Sequence, residues 1–151
     1  MRRSLSEPFA PAVWPDGITA RTFAPSDSAS VHRLLEQAYA GGGGSVPGFG
    51  EWLPAMTGDS EFSADLWFLA SSGTEIAGVA LCWTSSFVKD IAVDAAWRHQ
   101  GLGTALLLHC CTVFAARGAT ALDLKVDSEN PSGAVRLYEQ LGFRVIERIP
   151  M

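Results

Sequence analysis

Cysteine is scarce in this sequence and poorly spaced for a framework. Cys82, Cys110 and Cys111 form no CxxC pair, and an odd count with two adjacent members excludes a disulfide scaffold. Their apolar neighbours predict buried structural thiols rather than nucleophiles. Positive charge is short as well: 11 Lys and Arg stand against 16 Asp and Glu, a formal charge of −5, the wrong sign for a surface that follows a phosphate backbone. Nucleic acid is therefore not an expected partner. No apolar run approaches the roughly 18 residues of a bilayer span, and the residues after Met1, Arg2 and Arg3 include Ser6, Glu7 and Pro8, so no signal-peptide core follows. No membrane partner is expected, and a reducing cytoplasm is the compartment that fits. His32, His99 and His109 lack metal-ligand spacing, so no metal is expected. What remains is 48% apolar and 18% charged over 151 residues, the composition of one folded domain, as a monomer or a homodimer, rather than of a disordered chain.

Residues 1 to 17 hold Pro8, Pro11, Pro15 and Gly17 without periodicity, which predicts a loosely ordered leader before a single domain over 18 to 151. ITARTF from Ile18 alternates as a half-buried strand that Pro25 ends. Ser26 or Asp27 then caps a helix whose apolar face is Val31, Leu34, Leu35 and Ala38, stopping at Gly41. Six glycines between 41 and 50 predict a mobile loop, and GEWLPAM after it a short helix that Pro54 interrupts. LWFLAS, EIAGVALCW and FVKDIAV read as three consecutive antiparallel strands. Leu102, Leu106, Cys110, Val113 and Phe114 mark a long helix closed at Gly118, and ALDLKV is another strand. Asn130 and Pro131 open a helix bearing Ala134, Leu137, Tyr138 and Leu141, Gly142 ends it, and FRVIERI is the last strand. This order describes an α/β domain with a mixed sheet.

The segment richest in chemistry is IAVDAAWRHQGLGTAL, from Ile91 to Leu106: a strand, a glycine-bearing turn and a helix start. Glycines allow close backbone approach, the first helical amides are unpaired, and Arg98 adds a fork of donors, so the turn suits a diphosphate. An ordinary strand-to-helix turn with an incidental arginine is the bland alternative. The P-loop lysine is absent and no third glycine completes GxGxxG, which excludes two other nucleotide sites.

RHQGLGTAL resembles the coenzyme-binding loop of the GNAT superfamily of acyl-CoA-dependent N-acetyltransferases, in which arginine or glutamine precedes two spaced small residues. IAVDAAWR is similar to the strand and turn before that loop, and NPSGAVRLYEQLGF to the family's second hallmark of asparagine, alanine, leucine-tyrosine and glycine-phenylalanine. The resemblance spans about Ile18 to Met151. It implies a mostly antiparallel central sheet of six or seven strands flanked by about four helices. It further implies an enzyme moving an acetyl group from acetyl-CoA to a primary amine of a small molecule or peptide by direct attack in a ternary complex. The other reading is a catalytically silent coenzyme A-binding sensor or regulatory module.

Carried over residue by residue, the resemblance puts the pyrophosphate on Arg98, His99, Gln100, Gly101, Leu102, Gly103 and Thr104. Pantetheine falls on the main chain of Ile91, Ala92 and Val93 and on Asn130. The Val93 amide is the implied oxyanion contact, and Tyr138 the general acid for the departing thiolate; the alternative for Tyr138 is a packed core aromatic. The family's usual glutamates fall here on Phe87 and Lys125, so neither is present. Asp90 is the possible base, with Glu51, Asp127 and Glu129 as further carboxylates that suit solvated or capping roles. A water chain is the remaining route for the proton. Tyr39, Phe49 and Trp52 would line the acceptor side unless they close the edge of the core. FGEWLPAM, DLWFLA and the second hallmark are also similar to single halves of the family's two-domain mycothiol synthases, a likeness of fold rather than of acceptor.

Overall fold

The computed structural model describes residues 1–40, 46–125 and 134–144. Among the described residues, six strands form one sheet: β1 Arg2–Ser4, β2 Thr19–Thr22, β3 Trp67–Ser72, β4 Glu75–Trp83, β5 Phe87–Val93 and β6 Ala121–Leu124. Their spatial order is β1-β6-β5-β4-β3-β2, and every neighbouring pair is antiparallel except β5 with β6. The described α-helices cover the faces: α1 Ser28–Tyr39, α2 Phe49–Thr57, α3 Leu102–Ala116 and α4 Ala134–Gln140. This is the fold class the motifs implied.

The sheet divides the interior into two apolar layers. On one side α1 and α2 bring Val31, Leu34, Leu35, Trp52 and Met56 against Trp67, Leu69, Val79 and Leu81. On the other, α3 brings Leu102, Leu106, Leu107, Cys110 and Phe114 against Phe68, Ala80, Cys82 and Leu122, with Tyr138 and Phe143 joining at the edge. All three cysteines are buried and free, with Cys82 Sγ 3.7 Å from Cys110 Sγ, and burial pushes the Cys111 thiol up to about 11. Gly78 lets α3 lie this close. A Cβ there would stand 3.1 Å from both Leu102 Cδ2 and Leu106 Cδ1.

Several expectations need correction. Residues 1 to 17 do not form a loose leader throughout: Arg2–Ser4 pairs antiparallel with Ala121–Asp123, and the folded unit extends back to Met1. Polar bonds hold this strand in place of an apolar stripe. Arg2 makes a two-pronged pair with Asp123 at 2.7 and 3.0 Å, and buried Arg3 donates to the carbonyls of Ser4, Glu7, Pro8 and Leu141. In the glycine-rich stretch, Gly48 caps α2 and Phe49 and Gly50 are already helical, while 41 to 45 lie outside the described residues. Pro54 sits inside α2 without ending it. Asp27 stands at the start of α1, but its carboxylate accepts from the Ala24 amide and from Arg21 instead of capping the helix. Of the last strand, Arg144 bridges to Arg2 and residues 145 to 149 lie outside the described residues, as does Val126. No described helix is long and apolar enough to cross a membrane.

Gly78→Val should lower stability by about 1 to 3 kcal/mol, the cost of overpacking a tight contact. Urea denaturation checks it, with a lower midpoint and an unchanged slope as the expected outcome.

Candidate active site

The site begins with one extra residue in β5. Its register against β4 runs Gly78↔Val93, Val79↔Ala92, Ala80↔Ile91 and Leu81↔Asp90, then shifts to Cys82↔Val88, leaving Lys89 unpaired. A bulge of this kind reverses the side on which the following side chains fall. Val88 accordingly packs in the α3 layer, whereas Asp90, beyond the bulge, faces α1. Ile91 and Val93 return to the α3 layer and Ala92 to the α1 layer.

The same strand has an open edge. Among the described residues its parallel pairing with β6 covers only Phe87↔Asp123 and Val88↔Leu124, and no described strand lies beside Lys89 to Val93. The Asp94 amide donates to the Ala77 carbonyl at 2.8 Å. Backbone groups alternate in direction along a strand, so Ala92 also bonds toward β4, while the amides and carbonyls of Ile91 and Val93 point to the open edge. An extended chain bearing amides can add there as a strand would.

This edge leads to the start of α3. Asp94 accepts from the Ala96 amide at 2.9 Å and caps a single 3-10 turn, Ala95–Trp97. Arg98, His99 and Gln100 follow, all exposed, with Gln100 Nε2 donating to the Ala96 carbonyl at 3.2 Å. Gly101 has φ 81°, a left-handed conformation that favours glycine, and His99 has φ 63°. The first bond within α3 runs from the Ala105 amide to the Gly101 carbonyl at 3.0 Å. The amides of Leu102, Gly103 and Thr104 therefore lack helical partners and face outward at the positive end of the dipole. Leu102, almost fully buried, pins this turn to the sheet.

On the α1 face the Tyr39 hydroxyl donates to Asp90 Oδ1 at 2.7 Å, and Lys89 Nζ lies 3.5 Å from Asp90 Oδ2. Asp90 is only 8% exposed. Burial raises its pKa above the ordinary carboxylate value, against the opposing pull of Lys89 and the Tyr39 hydrogen bond. The Tyr39 phenol is held protonated first by burial and then by the Asp90 charge and hydrogen bond, with a smaller contribution from Tyr138. Tyr138 lies on α4, packed edge-on to Phe143 at 6.1 Å between ring centroids, and burial raises its pKa too. One phenol and a carboxylate thus meet where the sheet opens, with Tyr138 in the layer on the other face.

Other candidates lie apart from this cluster. Trp52, expected on the acceptor side, is 3% exposed and packs between His32 and Trp67, so it is a core residue. Phe49 is exposed and stacks on Trp52. Glu51 and Lys125 are exposed, and Phe87 is half-buried. Asn130, Asp127 and Glu129 lie outside the described residues. His32 is buried, with Nε2 2.7 Å from the Pro47 carbonyl and Nδ1 3.3 Å from Glu36. Spacing alone misses two features, the bulge and the Tyr39–Asp90 contact. The signal for the bulge is that FVKDIAV offers no consistent apolar face, since Lys89 and Asp90 interrupt both sides of a regular strand.

Comparison with known proteins gives the family. The model of the Acetyltransferase (GNAT) family matches residues 29–143. Mycothiol acetyltransferase of Thermobispora bispora is 31% identical over 160 residues, covering 95% of this chain and 52% of its own length. The [Ribosomal protein bS18]-alanine N-acetyltransferase of Escherichia coli is 46% identical over 54 residues, 36% of each chain. Among solved structures, the GCN5-related N-acetyltransferase from Sphaerobacter thermophilus superposes with a TM-score of 0.78 at 31% identity, over 93% of this chain and 45% of that one. The chain belongs to the GNAT acetyltransferase family. It spans about half the length of the curated mycothiol acetyltransferases it matches.

Two carboxylates near α1 should respond to pH with opposite sign. Asp90, raised by burial from the ordinary 3.8, leaves stability intact below about pH 4 and lost as pH rises through its folded value. Asp27, lowered chiefly by its Arg21 hydrogen bond, contributes stability above pH 3.8 that is lost as pH falls through its folded value. Melts across pH 3 to 8 check this: Asp90→Asn should gain on the wild type as pH rises, and Asp27→Asn should lose.

Proposed function

We propose that this chain is an N-acetyltransferase domain carrying an acetyl group from acetyl-CoA to a primary amine of a small molecule or peptide, with both substrates bound together. The observation that carries this reading is the open edge of β5 running into the unpartnered amides of α3. Such a run fits the coenzyme chemically. Ile91 and Val93 offer alternating amide and carbonyl groups to an amide-bearing pantetheine arm, with Ala92 holding the strand to β4. Arg98, His99, Gln100, Gly101, Leu102, Gly103 and Thr104 offer backbone donors, a left-handed nest and a guanidinium to a pyrophosphate. Asn130 completes the proposed contacts. When bound, acetyl-CoA supplies an acyl carbon activated as a thioester. The chain's own part is to hold that carbon beside the Val93 amide, to take the amine proton toward Asp90, and to give a proton to sulfur from the Tyr138 hydroxyl. A phenol held above its ordinary pKa keeps that proton at neutral pH.

The acceptor is proposed to enter on the α1 side, past Tyr39 and Phe49. Relatives named for mycothiol and for a ribosomal-protein alanine make a small amino compound and a peptide amino terminus the first acceptors to try. The formal charge of −5 supports a cationic amine rather than nucleic acid as partner. We place the protein in the cytoplasm, away from membranes, as a monomer or homodimer, and assign no metal a role.

Calorimetry with acetyl-CoA and a turnover assay over amines, diamines, aminoglycosides and peptides test the reading. A Cβ on Gly103 would point between Val93 Cγ2 at 3.9 Å and Leu137 Cδ2 at 4.0 Å, so the methyls of Gly103→Val would fill the gap beside the edge. That variant should weaken acetyl-CoA binding by about 10-fold or more, the scale of one charge-assisted hydrogen bond, with little change in melting temperature. Tyr138→Phe should leave affinity in place and lower turnover on the order of 10²-fold. Binding without turnover on any amine would identify a silent coenzyme A module instead.

A further inference from the structure

We propose that Tyr39 is the catalytic group that meets the acceptor amine and passes its proton to Asp90, which acts behind it as a positioning carboxylate. This inference rests on the acetyl-transfer reading and names the group that performs its first step.

The geometry separates the two residues' roles. Asp90 is 8% exposed and its Oδ1 is already engaged by the Tyr39 hydroxyl at 2.7 Å, so an incoming ammonium does not reach it directly. Tyr39 is the last residue of α1 and half-buried, with its hydroxyl on Asp90 and its ring packed beside the α1 layer. A phenol donates one proton and still accepts another on the same oxygen, which is what a relay requires. Acting alone it would be a poor base, because burial and the Asp90 charge oppose loss of its proton. Paired with a carboxylate it never has to become a phenolate. The bulge at Lys89 is what aims Asp90 at α1, and Lys89 Nζ at 3.5 Å helps keep the resting carboxylate ionised. Tyr138 belongs to the layer on the opposite face of the sheet, so base and acid are drawn from different faces.

The proton balance closes. The ammonium proton moves to Tyr39 Oη as the Tyr39 proton moves to Asp90 Oδ1, leaving a neutral amine, an unchanged phenol and a protonated carboxyl. A second nitrogen proton is released as the C–N bond forms and the C–S bond breaks, and it replaces the one Tyr138 gives to sulfur. Asp90 then returns its proton to solvent through Tyr39. The net change is one proton released per acetyl group moved from a thioester to an ammonium.

Methylamine and hydroxylamine, both small enough to enter any acceptor site, separate a proton relay from packing. At pH 7 methylamine arrives as an ammonium and hydroxylamine as a neutral nucleophile. Coenzyme A thiol release at saturating acetyl-CoA, corrected for the enzyme-free rate, gives a methylamine-to-hydroxylamine rate ratio for each protein. Tyr39→Phe and Asp90→Asn should each lower that ratio by about 10²-fold, the scale of lost general-base catalysis. The double variant should be no worse than either single one, as for residues that act as a unit. Acetyl-CoA affinity should hold in all three. Equal losses with both nucleophiles would mean that Tyr39 and Asp90 only pack the site, and an unchanged ratio would remove the relay while leaving acetyl transfer intact. A wild type that binds acetyl-CoA and releases thiol with neither nucleophile would overturn the transfer reading itself.

Discussion

The unpaired Lys89 in β5 fixes how the two layers of this protein meet at the site. A regular strand there would put Val88, Asp90 and Ala92 on one face. The register shift instead separates Val88 from Asp90, sends the carboxylate toward α1 and keeps Ile91 and Val93 against α3. Just before it the described pairing with β6 ends at Val88↔Leu124, so among the described residues the strand is bulged and open-edged over adjoining positions. These two departures from a regular sheet create a backbone edge for one partner and a buried acid for another. Burying an ionisable carboxyl opposes folding. Tyr39 and Lys89 offset part of that cost, and neither has a comparable partner elsewhere among the described residues.

The faces of the sheet divide the labour. The α3 layer is aliphatic and tight, with Gly78 admitting Leu102 and Leu106, and it holds the first turn of α3 rigidly to the sheet. The amides at that turn are thereby held in fixed directions at the positive end of the helix dipole. The α1 layer is aromatic: Phe23, Trp52, Phe62 and Trp67 stack edge-on or tilted, and His32 ties this cluster to the Pro47 carbonyl. Trp67 Nε1 is buried there with no partner in the described structure. These rings fill the α1 layer by volume, without the close aliphatic interlocking of the α3 layer.

Elements with a strong local period were legible in the residues. β3, β4 and β5 fall within a residue of the three apolar runs that short linkers separate, and α3 begins at the leucine that opens its stripe. The loop from Arg98 to Thr104 was legible because glycine and a helix start are local signals. β1 was not, since Arg2, Arg3 and Ser4 carry no apolar stripe and their stability comes from partners more than 100 residues away. The aromatic character of Trp52 could not say which way it faced; burial against Trp67 decided that. The Tyr39–Asp90 bond joins residues 51 apart, which no local pattern encodes, and its one local trace is that Lys89 and Asp90 interrupt both faces of β5.

That distant strand bears on how the molecule assembles. Arg2 meets Asp123 across 121 residues and Arg3 meets the Leu141 carbonyl across 138, so closing this edge is a high-contact-order event that follows the hairpins β3-β4 and β4-β5. Leu141 lies just beyond α4 and its amide bonds back to Leu137 and Tyr138. The Arg3 bond thus ties strand β1 to the turn that follows helix α4, so loosening of either element is felt by the other. Any ligand reaching from α4 to β5 would therefore be linked by mass action to the local stability of the chain's own first strand.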